Sequence, residues 1–311
     1  MHHRLTATRG LSIVAAVDML SLAPGGKAGD AYRLATFMDA HRRLFVLGGA
    51  GCSTGSGIPD YRDRQGHWRR RPPVTIQAFL GDEATRRRYW ARSFTGWPAF
   101  HASQPNRAHR ALAALETADR LTGLVTQNVD ALHQRAGSQR VIDLHGRLDK
   151  VRCLRCDELS PRQAMQQRLS AANPDWKAGH AAAAPDGDAD LEDTAFEHFV
   201  VPDCEHCGGW MKPDVVFFGE NVPAARVTEA MAMLRQADAM LVVGSSLMVY
   251  SGYRFALAAA QWRKPIAALN LGVTRADALL DFKIERDCGE VLWQLAAGEA
   301  AAACVAGSRE H

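Results

Sequence analysis

Leu44-Phe45-Val46-Leu47-Gly48-Gly49-Ala50-Gly51-Cys52-Ser53-Thr54-Gly55-Ser56-Gly57 is a four-residue apolar run that ends abruptly in glycine. A short apolar run closed by Gly reads as a strand buried on both faces, the kind found in a parallel sheet. Three further runs share this form: Leu121–Thr126, Met240–Val243 and Ile266–Leu269, with Val141–Leu144 as a fifth candidate. Helical stretches such as Arg107–Glu116 and Ala224–Gln236 lie between them. Strands alternating with helices predict an α/β fold with a doubly wound, Rossmann-like parallel sheet. Each strand runs into a polar or glycine-rich loop: the 48–57 loop, Gln127-Asn128-Val129-Asp130, Gly244-Ser245-Ser246 and Asn270-Leu271-Gly272. Ligands in such folds bind beyond the carboxyl ends of the strands, so four loops are expected to share one crevice.

A glycine-rich loop after a strand lets backbone N–H groups approach a pyrophosphate and leads into a helix N-terminus. The spacing is not the dinucleotide fingerprint, because Gly55 falls one residue late. No acidic residue stands at a strand end about 20 residues on to hold a ribose, which argues against hydride transfer. Asn270 is the candidate ribose ligand in its place.

The rhythm breaks between Val151 and Lys212, which hold Cys153-x-x-Cys156 and Cys204-x-x-Cys207. Two such knuckles supply four thiolates for a tetrahedral zinc, and a closed four-cysteine site is structural. The expected organisation is an N-terminal extension over 1–36, a catalytic domain over 37–150 and 213–300, a zinc module with a loop insertion over 151–212, and a tail over 301–311. Within the insertion, Asp186-Gly187-Asp188-Ala189-Asp190 has calcium-loop spacing, with Glu197 at the twelfth position. Leu191 occupies the sixth position, where the turn demands glycine, so the stretch reads as a solvated loop.

The 311 residues carry a net charge of +3, with 47% apolar and 23% charged residues. That balance suits a globular protein and gives no support for a nucleic-acid or membrane surface. The basic runs Arg69-Arg70-Arg71 and Arg86-Arg87-Arg88 read as solvated faces. No apolar run approaches the roughly 20 residues of a membrane span. Leu11–Ala23 is modestly apolar, but Asp18 interrupts it and no clean cleavage site follows. Paired cysteines without a secretory signal point to a reducing compartment.

Gly49-Ala50-Gly51-Cys52-Ser53-Thr54-Gly55-Ser56-Gly57-Ile58-Pro59-Asp60-Tyr61-Arg62-Asp63 closely resembles the first signature of the sirtuins, with Cys52 where the family often has a branched aliphatic. Thr126-Gln127-Asn128-Val129-Asp130 with Leu132-His133, then Leu144-His145-Gly146, Lys212–Glu220 and Gly244-Ser245-Ser246-Leu247 resemble the other four, in family order. The likeness covers roughly Leu44 to Leu295. Arg88-Tyr89-Trp90-Ala91-Arg92, Gly96-Trp97-Pro98 and Tyr250–Phe255 place it nearest the class II branch and its sirtuin-four group.

The resemblance implies an NAD-dependent deacylase acting on acylated lysine in proteins. The nicotinamide–ribose bond breaks, the acyl oxygen attacks the sugar carbon, and a ribose hydroxyl then acts as nucleophile. A histidine suits the proton transfer, and His145 matches the catalytic one. Gln127, Asn128 and Asp130 match residues around the nicotinamide-side ribose and carboxamide. Asp60, Tyr61 and Arg62 match the cofactor-binding loop, together with Ile58. Ser245 and Ser246 match a phosphate loop, Asn270, Leu271 and Gly272 the adenosine-ribose loop, and Cys288 a backbone contact near adenine. Val216, Phe217 and Gly219 on one side and Val249 on the other match the edges that hold the substrate peptide; Ser251-Gly252 stands where many sirtuins have proline. Tyr89 and Arg92, three residues apart in the helical segment Glu83–Phe94, match the pair with which class II desuccinylases hold an acidic chain, so carboxylated acyl groups are expected. Mono-ADP-ribosyl transfer or lipoyl removal on the same scaffold, and a non-catalytic NAD-sensing zinc scaffold, are the alternatives. The chain is expected to be a monomer, in the cytoplasm if bacterial and in the mitochondrial matrix if eukaryotic.

Overall fold

The computed structural model describes residues 27–70, 72–176, 185–189, 191 and 196–307. Six parallel strands form the main sheet: β1 (Leu44–Gly48), β2 (Leu121–Thr126), β3 (Val141–Asp143), β7 (Ala239–Val243), β8 (Ile266–Leu269) and β9 (Phe282–Ile284). Their order is β3-β2-β1-β7-β8-β9. The chain leaves β1 toward one edge and β7 toward the other, so the loops after these two neighbours part and open a crevice at the switch point.

Alternation along each strand sends side chains to two helical layers. Leu44, Val46, Leu241 and Val243 meet Leu34, Met38, Leu112, Leu115, Val291 and Leu292. Phe45, Leu47, Met240 and Val242 meet Ala230, Leu234, Phe255 and Ala259. Both faces are dry, which is why these strands are uniformly apolar in sequence.

The helix Lys27–Ala40 buries Ala31, Leu34 and Ala35, so the sheet domain begins before residue 37 and the extension is shorter than expected. Residues 1–26, with the Leu11–Ala23 stretch, lie outside the described residues. The last helix, Cys288–Gly307, runs through the expected boundary at 300. Strand β9 goes unannounced in sequence because it has three residues and only Ile284 is buried.

A second sheet, antiparallel, pairs β4 (Gly146–Cys153) with β5 (Leu159–Pro161) and β6 (Met211–Val215). The smaller module therefore starts at Gly146 and ends at Val215, wider than 151–212. His145 lies in the two-residue joint between β3 and β4, where one sheet hands the chain to the other.

The helix Glu83–Ala102 continues past Phe94 through Pro98. Proline removes the N–H that would bond the carbonyl four residues back. Here Gln166 Nε2 donates to Phe94 O at 2.9 Å and replaces it. At the neck of the insertion Asn173 Nδ2 donates to Val200 O, and Val200 N donates to Asn173 Oδ1. Trp176, Phe196 and Phe199 pack together beside this pinch.

Candidate active site and zinc centre

A cavity of about 450 Å³ opens at the switch point. It is lined by the loop after β1 (Gly49, Ala50, Gly51), by Asp60, Tyr61 and Arg62, and by Gln127, Asn128 and His145 after β2 and β3. Gly244, Ser245 and Ser246 after β7, Asn270 and Leu271 after β8, and Cys288 complete that side. Tyr89, Val216, Phe217, Gly219 and Val249 form the rest of the wall with residues around them. Gly244 makes the close approach possible: its φ is +58°, and a Cβ there would lie 2.4 Å from Cys52 N. Gly51 N in turn donates to Gly244 O at 2.8 Å, so the two loops are tied through backbone.

The 48–57 loop departs from expectation in one respect. It leads into two short 3-10 turns, Ala50–Cys52 and Thr54–Ser56, with no α-helix directly after it. Any phosphate at this loop would meet the N–H groups of a turn.

His145 Nδ1 lies 2.9 Å from Gln127 O, and Nε2 lies 2.8 Å from Ser251 Oγ. A carbonyl only accepts, so Nδ1 carries the hydrogen and Nε2 accepts from Ser251. Burial, aided by the charges of Arg226 and Arg254, pushes the His145 pKa down to about 4, against the opposing Gln127 contact. At neutral pH the ring is neutral with a basic Nε2, the state a general base needs. Its backbone is fixed as well, since Val216 N donates to His145 O at 2.8 Å. Nothing in the sequence pattern announced Ser251 as its partner.

Behind the wall lies a connected polar set. Ser53 Oγ donates to Asp130 Oδ2 at 2.6 Å and accepts from Asn128 Nδ2 at 2.9 Å. Asn128 Nδ2 also donates to Gly49 O, and Leu132 N donates to Asp130 Oδ1. Burial raises the Asp130 pKa above the usual carboxylate range, while these hydrogen bonds oppose the shift. Ser53, Ile58 and Asp130 do not line the main cavity; they border a small recess that shares Ala50, Tyr61, Gln127 and Asn128 with it. Gly272 also lies off the cavity wall; Asn270 Nδ2 donates to its carbonyl at 3.3 Å.

Two expected site residues are placed elsewhere. Cys52 is buried in the core, with His109 and His133 beside it, so its side chain does not reach the cavity. Arg92 is absent from the cavity wall. Its Nε donates to Ala189 O at 3.0 Å and lies 3.9 Å from Asp188 Oδ2, so the guanidinium expected to receive an acidic acyl chain is held by the protein's own insertion. Tyr89 does line the wall, packed on Phe79 and Phe217. The 186–188 segment is correspondingly not solvated: Asp188 is 3% exposed and Asp186 joins the cavity lining. Asp190 lies outside the described residues.

The four paired cysteines converge. Cys153 Sγ and Cys207 Sγ are 3.5 Å apart, and Cys156 Sγ and Cys204 Sγ are 3.8 Å apart. Four sulfurs at the zinc–thiolate bond length in a tetrahedron are separated by about 3.8 Å, and all four Sγ atoms lie within 4.8 Å of one another, a spacing that fits zinc.

The Sir2 family model matches residues 49–251. The chain belongs to the Sir2 family. An NAD-dependent protein deacetylase of Xanthomonas axonopodis pv. citri is 64% identical over 265 residues, covering 85% of this chain and 90% of that protein. One from Bordetella bronchiseptica is 60% identical over 263 residues, covering 85% and 96%. Among solved Sir2 structures, one bound to an acetylated peptide superposes with a TM-score of 0.68 at 28% identity, covering 84% of this chain and 94% of that one. Another, with a p53 peptide and NAD+, gives 0.66 at 29% identity, with the same coverage of 84% and 94%. Among the described residues no helix is long and apolar enough to cross a membrane.

Proposed function

We propose that this Sir2-family chain is an NAD-dependent protein lysine deacylase with one structural zinc, and that its acyl-lysine substrates include acetyl-lysine. The carrying observation is the neutral His145, whose Nε2 faces Ser251 in the cavity wall at 2.8 Å and whose Nδ1 hydrogen is anchored on Gln127 O. NAD, when bound, supplies the ribose carbon that receives the acyl oxygen as nicotinamide departs. The chain's part is to orient and to move protons. Asn128 and Asp130, held by Ser53, present amide and carboxylate groups beside the recess at Ala50 and Ile58. His145 takes a proton from a ribose hydroxyl once that hydroxyl displaces Ser251 from Nε2.

The substrate backbone is proposed to run between Val216–Gly219 and Val249, where main-chain pairing would give affinity with little sequence preference. We also place the chain in class II, near the sirtuin-four group, on the strength of Arg88–Arg92, Gly96–Pro98 and Tyr250–Phe255. The cytoplasm is the proposed compartment, since none of the six cysteines whose side chains are described is in a disulfide and the relatives named above are bacterial. The test is a set of acyl-lysine peptides incubated with NAD and read for nicotinamide release and peptide mass. NAD-dependent loss of the acyl mass is expected. Nicotinamide release with unchanged acyl-peptide and ADP-ribose on acceptor protein would contradict the reading.

A further inference from the structure

The wall carrying Tyr89, Leu148 and Phe217 contains one charged group from the inserted segment, Asp186. The segment is held there by its neighbours. Ala189 N donates to Arg92 O, and Arg92 Nε donates back to Ala189 O, each at 3.0 Å. Gly187 packs so closely that a Cβ on Gly96 would lie 2.3 Å from its carbonyl oxygen, and a Cβ on Gly187 would touch Leu148 and Phe100. Oδ1 of Asp186 and Oδ1 of Asp188 are both buried without a hydrogen-bond partner. Burial raises the pKa of both carboxyls above the usual carboxylate range, and nearby cations oppose the shift: the charges of Arg92 and Arg70 act on Asp186, and those of Arg92 and Arg162 on Asp188. None of these three guanidinium groups lines the cavity. The cations lie behind the wall and the carboxylate is in it.

We propose that Asp186 sets acyl selectivity: it excludes acyl chains that end in a carboxylate and favours neutral chains whose end donates a hydrogen bond, an amide or a hydroxyl. The inference rests on the deacylase reading above. Two effects combine. A carboxylated chain would bring a second negative charge against Asp186 in a desolvated wall, and like charges so placed repel strongly. The arginine expected to compensate, Arg92, is already engaged by Asp188 and Ala189 O. A chain ending in an amide or hydroxyl brings no charge and offers a donor to the acceptor-only carboxylate of Asp186 in the wall.

The discriminating pair is one peptide carrying either succinyl-lysine or succinamyl-lysine, its neutral amide isostere, with acetyl-lysine alongside, all with NAD at pH 8. For the wild type, kcat/KM on succinamyl-lysine should exceed that on succinyl-lysine by at least about tenfold. In Asp186→Asn that ratio should collapse to within about threefold, and Asp186→Ser provides a second, smaller side chain should the amide misfold. A wild-type enzyme that handles succinyl-lysine as well as succinamyl-lysine overturns the proposal. So does a ratio that survives both substitutions. Acetyl-lysine turnover with a succinyl preference sinks this inference alone, whereas no NAD-dependent turnover of any of the three sinks the deacylase reading and this inference with it.

Discussion

The side of the cavity proposed to take the cofactor and the side proposed to take the acyl group are built by different means. The cofactor side is made from loops that each follow a strand: Gly49–Gly51, Gln127–Asn128, Gly244–Ser246 and Asn270–Leu271. Backbone bonds such as Gly51 N to Gly244 O tie them together. The acyl side is made from side chains of separate elements, with Tyr89 on one helix, Phe217 after β6 and Asp186 in the insertion. A site built on strand ends inherits its geometry from the sheet. A site built on an insertion depends on which side chains happen to pair across it, so selectivity can change there without disturbing the chemistry.

The largest effect should come from the joint between the two sheets. His145→Ala removes the only proton acceptor assigned to the ribose hydroxyl, and turnover should fall by about 10²–10⁴-fold. NAD binding, followed by calorimetry, should persist, because the strand-end loops do not depend on that ring. Single-turnover deacylation near the wild-type rate would break the assignment.

Zinc comes next. Strand β4 starts at Gly146, directly after the proposed general base His145, and ends at Cys153, one of the four cysteines proposed to hold zinc. Loss of metal should therefore unfold the smaller sheet and reach back to His145. Elemental analysis should find one zinc per chain, and Cys204→Ser should lose both zinc and activity. Active protein without zinc would separate the module from the chemistry.

That much of the cofactor side was legible. Leu121–Thr126, Ile266–Leu269 and Ala224–Gln236 have the bounds expected from pattern, because two-sided burial leaves the strands short and mostly apolar and polar or glycine-rich loops end them. The cysteine knuckles were legible for the same reason, since Cys-x-x-Cys is local. The acyl side was not. Asp186 and Asp188 look solvated in a stretch rich in Ala, Asp and Gly, and the cations that oppose the cost of their burial, Arg70, Arg92 and Arg162, are far away in sequence. Ser251 likewise finds His145 across 106 residues. Cys52 sits in a cofactor loop by sequence, yet the 3-10 turn points it into the core.

A milder test concerns pH. Activity needs neutral His145, and its pKa is held at about 4 by burial and by Arg226 and Arg254. Lowering the pH from 8 to 6 therefore leaves the base form intact, and kcat/KM should not fall through an acid limb near 6.5, the ordinary histidine value. Such a limb would mean that the cavity is wetter than its packing indicates.

The smallest effect should be that of Arg92→Met on acyl ranking. Because Arg92 stands behind the wall and the backbone bond from Ala189 N to its carbonyl survives the substitution, the succinyl-to-acetyl ratio should change by less than about threefold and leave succinyl-lysine the poorer substrate. A selective loss of succinyl turnover would return Arg92 to the substrate and erase the contrast between the two sides.

The central claim is tested most directly by stoichiometry. Acetyl-lysine peptide, NAD and purified protein should yield deacetylated peptide, nicotinamide and O-acetyl-ADP-ribose in a 1:1:1 ratio, with no deacetylation when NAD is withheld. Deacetylation that proceeds without NAD, or nicotinamide release unaccompanied by acyl transfer to ADP-ribose, would contradict it.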